Sequence, residues 1–203
     1  MKHILYMSLR SPFARRVRLA LEELGIDYDA QALDVFNPPA GFGAVNPLGR
    51  VPALQLPTGE TLIDSSMIFE HLRERHSEHP LFLFGGARPA RARRLTGLAL
   101  GVMETTVTVV LENMRGVVGN PAVKAEFTAM ALAGLAALDD ELRGAAHHAL
   151  GPELRACDLD IGAAAAYCEL RLGADCLKTY PALKAHLGRL NERASFRKTV
   201  PPA

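Results

Sequence analysis

The chain has no tryptophan, and aromatic residues make up 6% of its 203 positions. Binding of single-stranded nucleic acid by stacking needs aromatics set among basic residues. No basic excess is present either: 23 Lys and Arg stand against 22 Asp and Glu, a net charge of +1. Bulk electrostatics therefore recruit neither nucleic acid nor an anionic membrane. Cysteine is scarce, at Cys157, Cys168 and Cys176. An odd, small number with no C-x-x-C pair does not suggest a disulfide framework and fits a reducing compartment. No histidine stands at ligand spacing beside them, so no metal site is expected and the three read as buried apolar positions. The apolar runs are broken by Arg and Glu, and none is expected to cross a bilayer. Met1-Lys2-His3 leads directly into a strand, without the layout of a signal peptide. Internal repeats and low-complexity tracts are missing as well.

What is present is apolar material: 49% of residues, with a mean hydropathy of +0.08, enough for a sizeable core in one large domain or two small ones. The organising stretch is Ser8-Leu9-Arg10-Ser11-Pro12-Phe13-Ala14-Arg15-Arg16-Val17-Arg18. It follows an apolar strand, Ile4 to Met7, and opens a helix whose apolar face is Phe13, Val17, Ala20, Leu21 and Leu24. Serine is a favoured N-cap and proline a favoured first helical residue. Ser11 is therefore placed at the positive end of a helix, where an anion such as a thiolate can be held; a cap with no further role is the simpler reading of this stretch alone.

Gly25 stops the first helix and Tyr28 to Leu33 reads as a second strand. An irregular segment, 37–43, precedes Asn46-Pro47-Leu48-Gly49-Arg50-Val51-Pro52, a turn that feeds a third strand. Pro57-Thr58-Gly59-Glu60 is a hairpin turn, Thr61 to Ile63 the return strand, and Asp64-Ser65-Ser66 opens a helix with Ile68, Phe69 and Leu72 buried. The remainder reads as helical: Ala90–Arg115, a helix from Pro121, one from about Asp158 to Leu172, and one from Pro181 to about Ala194. The fold class is α+β, with a first domain over 1–77, a linker over 78–88 carrying Pro80 and Gly85-Gly86, and an all-α domain over 89–203.

Four pieces in this order resemble the cytosolic glutathione transferase family: Ser11-Pro12-Phe13 with Arg16-Val17-Arg18; Asn46 to Pro52; Asp64-Ser65 with Ile68 and Glu70-His71-Leu72; and the helical second half. The serine-containing S-P-F start is similar to the bacterial branches and the plant tau class. The resemblance implies a thioredoxin-like N-terminal domain, a helical C-terminal domain, glutathione as co-substrate without a metal, and a cytoplasmic homodimer. By the same resemblance Ser11 donates to the glutathione sulfur. A hydroxyl at a helix N-terminus favours the thiolate of a thiol whose ordinary pKa is about 8.5. Ser8 and, more weakly, Tyr6 are rivals for that role. Val51-Pro52 is where the family has a cis bond, with Val51's main chain pairing the cysteinyl unit as an added strand would. Asp64 suits the γ-glutamyl ammonium, Ser65 and its helix N-terminus the α-carboxylate, and Arg50 the glycyl carboxylate.

The implied acceptor pocket lies between the domains, with Met103, Thr106, Val107 and Val110 as candidate walls. The cluster Arg88, Arg91, Arg93 and Arg94 reads as a solvated helix start or an interface ion pair. Two departures stand out. At the start of the third helix of the second domain, Cys157 stands where the family has a Ser or Thr cap, with Asp160 three residues on holding the turn. The first domain has no cysteine and lacks the Ser-Ser-Cys start of the zeta class, which argues against omega-like and beta-like chemistry and against maleylacetoacetate isomerase activity. Conjugation of glutathione to a small hydrophobic electrophile, as in detoxification, is the function implied. A non-catalytic binding protein on the same fold, like the stringent-starvation proteins, is the alternative.

Overall fold

Leu5 and Met7 are buried while Ile4 and Tyr6 are half-buried, the two-residue period of a strand with one face inward. They lie in β1 (His3–Met7), the first element of a computed structural model that describes residues 2–83 and 89–202. After it come α1 (Pro12–Glu23), β2 (Tyr28–Ala32), α2 (Phe42–Val45), β3 (Ala53–Gln55), β4 (Thr61–Ile63) and α3 (Ser65–Arg75). The sheet order is β2-β1-β3-β4. β1 is parallel to β2, which requires a crossover, and α1 supplies it. β1 is antiparallel to β3, with Leu5 opposite Leu54, and β3 is antiparallel to β4. Leu5, Leu54, Val17, Leu21, Ile68 and Leu72 are buried, so α1, α3 and the sheet share one core. α2 occupies the end of a stretch that reads as irregular in the sequence. Its Phe42 is buried, with its ring 6.0 Å from that of Tyr6.

The chain forms two compact units, Met1–Phe82 with Ala194–Ala203, and Leu83–Arg193. This corrects the expected helical domain over 89–203, which loses its last ten residues to the first unit. The reason is a set of long-range contacts that local pattern does not encode. After α7 (Pro181–Asn191) the chain starts a separate helix, α8 (Ala194–Lys198), rather than continuing one helix to Ala194. Arg15 reaches the Phe196 carbonyl and the Thr199 hydroxyl, both at 3.5 Å, and its guanidinium lies over the Phe196 ring. Arg18 donates to the carbonyls of Lys198 and Thr199. Burial, with Arg18 nearby, pulls the Arg15 guanidinium down to about 10. Glu22 pairs with Lys198 and Glu23 accepts from Ser195. The expected linker over 78–88 is also shorter at its start, because Pro80–Phe82 forms a 3₁₀ turn with Leu81 and Phe82 buried. Residues 84–88 of that linker, Arg88 of the basic cluster included, lie outside the described residues.

The second unit is built on α4 (Pro89–Met114), α5 (Pro121–Leu142), α6 (Ala156–Leu172) and α7. α6 is alanine-rich, and its residues from Cys157 to Ala165 are all buried, which makes it the central helix. α4 and α5 carry 18-residue windows of mean hydropathy 1.4 and 1.3, long and apolar enough to cross a membrane by length and composition. The broken runs were expected to fall short of that length, and these two windows do not; a core helix passes the same test. Both helices pack within the unit, α4 against α5 and α6. Arg91 and Arg94 both grip Glu141, at 3.2 and 3.0 Å, tying the start of α4 to the end of α5. The Arg94 hydrogen bond is the main cause of the lowered Glu141 pKa. Where α4 and α5 cross, a Cβ at Gly134 would stand 2.4 Å from Val102 Cγ2. Gly134→Ala is expected to destabilise the unit by about 1–3 kcal/mol, the usual cost of overpacking. Its melting curve compared with that of a Gly97→Ala control, where nothing lies within 4 Å of the added Cβ, checks this.

Candidate functional site

Ser11 is the N-cap of α1, with extended backbone (φ −77°, ψ 124°) and Pro12 at the first helical position. Its Oγ accepts from the Ala14 N–H at 3.2 Å, and its own N–H donates to the Ser8 carbonyl at 3.1 Å. One lone pair of the hydroxyl is thus used by the helix, while its proton has no acceptor among the described residues. A hydroxyl so placed is a donor aimed at whatever anion settles on the helix start. Ser8 is half-buried and contributes its carbonyl to the Ser11 N–H.

The loop before β3 is organised by Asn46, which is 2% exposed. Its Nδ2 donates to the Arg50 carbonyl at 2.7 Å and its Oδ1 accepts from the Leu48 N–H at 3.0 Å. Gly49 follows at φ 64°, a conformation that favours glycine. The Val51–Pro52 bond is cis, the geometry the family resemblance implies. The main-chain N–H and C=O of Val51 make no hydrogen bond among the described residues, and such groups seek a partner. Arg50 is exposed.

α3 begins with a strained cap. Asp64 has φ 70° and ψ 133°, the only non-glycine residue with positive φ among the described residues. That region costs of order 1–3 kcal/mol for an L side chain and persists where surrounding structure over-determines it. The Asp64 carboxylate accepts from the Ser66 N–H at 2.7 Å. Ser65 is buried and its Oγ accepts from Arg16 Nη1 at 3.0 Å. Asp64→Gly should therefore remove strain and cap together, leaving stability within about 1 kcal/mol of wild type, whereas Asp64→Ala keeps the strain and loses the cap at a cost of about 1 kcal/mol. Parallel denaturant melts check the difference.

Ser11, Val51, Pro52, Asp64 and Ser65 all belong to the first unit, at the N-termini of α1 and α3 and the entry to β3. Of the candidate acceptor walls, Met103 and Thr106 are fully buried in the helical unit. Thr106 bonds the Val102 carbonyl at 2.7 Å and contacts Cys168 Sγ at 3.3 Å, so it is a core residue. Val107 and Val110 are half-buried. The cysteines lie in the second unit. Burial pushes the Cys168 thiol up to about 12, the Cys176 thiol to about 11, and Cys157 upward too, so none is a thiolate at neutral pH. No cluster of three or more metal-binding side chains occurs among the described residues. The expected box at the start of α6 is corrected: Arg155 is the N-cap and Asp158 the acid, accepting from the Arg155 N–H at 2.8 Å. An arginine side chain has no acceptor, so only the acidic half of the box exists. Asp160 instead accepts from Thr96 Oγ1 at 2.9 Å. Sequence reasoning named Arg16 only as part of the Arg16-Val17-Arg18 motif and gave it no role.

A β-α-β then β-β-α sheet with a cis X-Pro bond before its third strand, joined to a helical unit in one chain, defines a thioredoxin-like first domain of the glutathione transferase kind. Residues 5–80 match the family model described as Glutathione S-transferase, N-terminal domain. A maleylacetoacetate isomerase of Pseudomonas aeruginosa is 40% identical over 100 residues, 46% of this chain and 47% of that one. A zeta-class glutathione S-transferase of Euphorbia esula is 31% identical over 163 residues, 76% of this chain and 71% of that one. A crystal structure of a glutathione S-transferase from Methylobacillus flagellatus with glutathione bound superposes with a TM-score of 0.91 at 32% identity, covering 99% of this chain and 100% of that one. The match spans about half the length of the isomerase. This chain belongs to the glutathione S-transferase family.

Proposed function

We propose that the protein is a serine-type glutathione transferase that joins the glutathione thiolate to a small hydrophobic electrophile. The observation that carries this reading is Ser11, a hydroxyl at the N-terminus of α1 whose proton has no acceptor among the described residues, in the same unit as Val51-Pro52 and Asp64-Ser65. Glutathione lies along these groups with its sulfur at Ser11, its cysteinyl main chain on Val51, and its γ-glutamyl end on Asp64 and Ser65. Arg50 serves the glycyl carboxylate. Ser11 keeps its proton and donates a hydrogen bond, so the thiol ionises more readily and attacks the electrophilic carbon. The glutathione bound in the Methylobacillus structure supports the co-substrate.

The isomerase and zeta-class relatives favour a second reading. The same thiolate adds to a cis-unsaturated dicarbonyl acid, the bond rotates, and the thiolate leaves, so glutathione is not consumed. The Ser11-Pro12-Phe13 start, with no cysteine beside it, is why conjugation is placed first. Assays with a chlorodinitroaromatic and with a cis-unsaturated dicarbonyl acid separate the two: conjugate formation in the first supports our reading, and glutathione-dependent isomerisation alone replaces it. The proposal includes a cytoplasmic homodimer. Exposed Phe36, Leu48 and Met67 on the first unit support self-association, and sedimentation at micromolar concentration tests it.

A further inference from the structure

Arg16 is 2% exposed, its guanidinium lies 3.9 Å over the Phe69 ring, and it donates from Nη1 to Ser65 Oγ at 3.0 Å. A cation beneath the first turn of a helix has the wrong sign for that helix, whose N-terminus is already positive. Asp64 offsets part of this potential, with its carboxylate on the Ser66 N–H. Burying a guanidinium is costly, and packing against Phe69 alone does not call for a charge. The charge acts directly on Ser65. A guanidinium can only donate, so Ser65 Oγ must accept from it, and the hydroxyl proton is turned away from Arg16. A hydroxyl that accepts from a cation is also polarised into a better donor.

We propose that Arg16 is a positioning residue for the α-carboxylate of the γ-glutamyl group: it locks Ser65 as a donor and adds buried positive potential behind the α3 N-terminus. The inference rests on the glutathione reading given above. It assigns specificity to a side chain that touches no ligand. Arg16 and Ser65 act as one unit, so their effects on carboxylate binding do not add.

The test is calorimetric titration of the full chain with two ligands. One is glutathione. The other carries 4-aminobutyryl in place of γ-glutamyl, which keeps the amine and lacks the α-carboxylate. Arg16→Met should weaken glutathione about tenfold, the scale of a lost charge-assisted hydrogen bond, and change binding of the analogue by less than about twofold. In a Ser65→Ala background the Arg16→Met effect on glutathione should shrink. With an acceptor present, KM for glutathione rises while kcat at saturation holds. Equal weakening of both ligands marks a purely structural role and overturns the proposal, as does no weakening of either. If Arg16→Met does not fold, Arg16→Lys decides. It keeps the charge without the planar fork and should cut the preference for glutathione over the analogue by about threefold or more; an unchanged preference overturns the proposal. Wild type that binds neither ligand overturns the glutathione reading itself, a result distinct from all of these.

Discussion

Ser11→Ala is expected to raise the pKa of bound glutathione and to lower turnover near neutral pH by about tenfold to a thousandfold, the range seen when one preorganised donor to a developing or bound anion is removed. Glutathione affinity should change little, because on the proposed function the peptide is held by Val51, Asp64 and Ser65. Each unit of pKa recovered by the thiol corresponds to about 1.4 kcal/mol of lost preference for the thiolate. Two effects of the mutation must be separated. Ser11 Oγ also accepts from the Ala14 N–H, so its removal costs about 1 kcal/mol of helix stability. Ser11→Asn keeps a capping acceptor, and a melting curve on the alanine variant measures the cap alone. Thiolate absorbance of the binary complex against pH is the readout. The loss of rate should be largest near neutral pH and shrink as the pH rises past the thiol's own pKa, where thiolate forms without help. A titration that stays in place in Ser11→Ala and moves in Ser8→Ala transfers the role to Ser8.

Asp158→Ala is expected to produce the largest loss of stability. Asp158 is fully buried and its carboxylate serves three partners. It accepts from the Ala149 and Arg155 N–H groups, both at 2.8 Å, and lies 3.1 Å from Nε2 of the fully buried His186. Removing it strands two buried amides at once and empties the space beside the buried imidazole; at about 1–3 kcal/mol for each stranded donor the loss is about 3–5 kcal/mol. For a chain of this size the corresponding drop in Tm is roughly 6–20 °C. Asp158→Asn, which keeps one acceptor oxygen for the two amides, should lose less. Thermal melts followed by circular dichroism compare them. An Asp158→Ala variant that melts with the wild type contradicts the assignment of Asp158 as the residue that fixes the start of α6.

The sequence discloses elements whose signals are local. The Ser11-Pro12 helix start, the turn from Asn46 to Pro52 and the Asp64-Ser65 helix start all lie where their cap and turn chemistry puts them. The misplaced start of α6 shows the limit. Both Arg155-x-x-Asp158 and Cys157-x-x-Asp160 have the spacing of a box, and neither has a good capping side chain. Only the contacts of Asp158 with Ala149, nine residues before it, and with His186 on α7 choose between them, and neither lies within the span of the box. The C-terminal segment is the same case, since Arg15 and Arg18 reach it across more than 180 positions. Arg16 was illegible for a different reason. Arg16 enters the sequence reading only as part of the Arg16-Val17-Arg18 motif, and nothing local marks it as covered, yet Arg15 and Arg16 are both buried, one against Phe196 and the other against Phe69 and Ser65. Stems of arginine pack like apolar side chains, and a composition-based reading does not tell a covered guanidinium from a solvated one.

The central claim is that the Ser11 hydroxyl is the donor to the glutathione sulfur. A crystal structure of the protein soaked with glutathione tests it most directly. The account predicts sulfur within hydrogen-bond distance of Ser11 Oγ, about 3.0–3.5 Å, with the γ-glutamyl carboxylate on Ser65. Sulfur bound to Ser8 or Tyr6 with Ser11 Oγ turned back to the helix, or glutathione bound away from the start of α1, contradicts it.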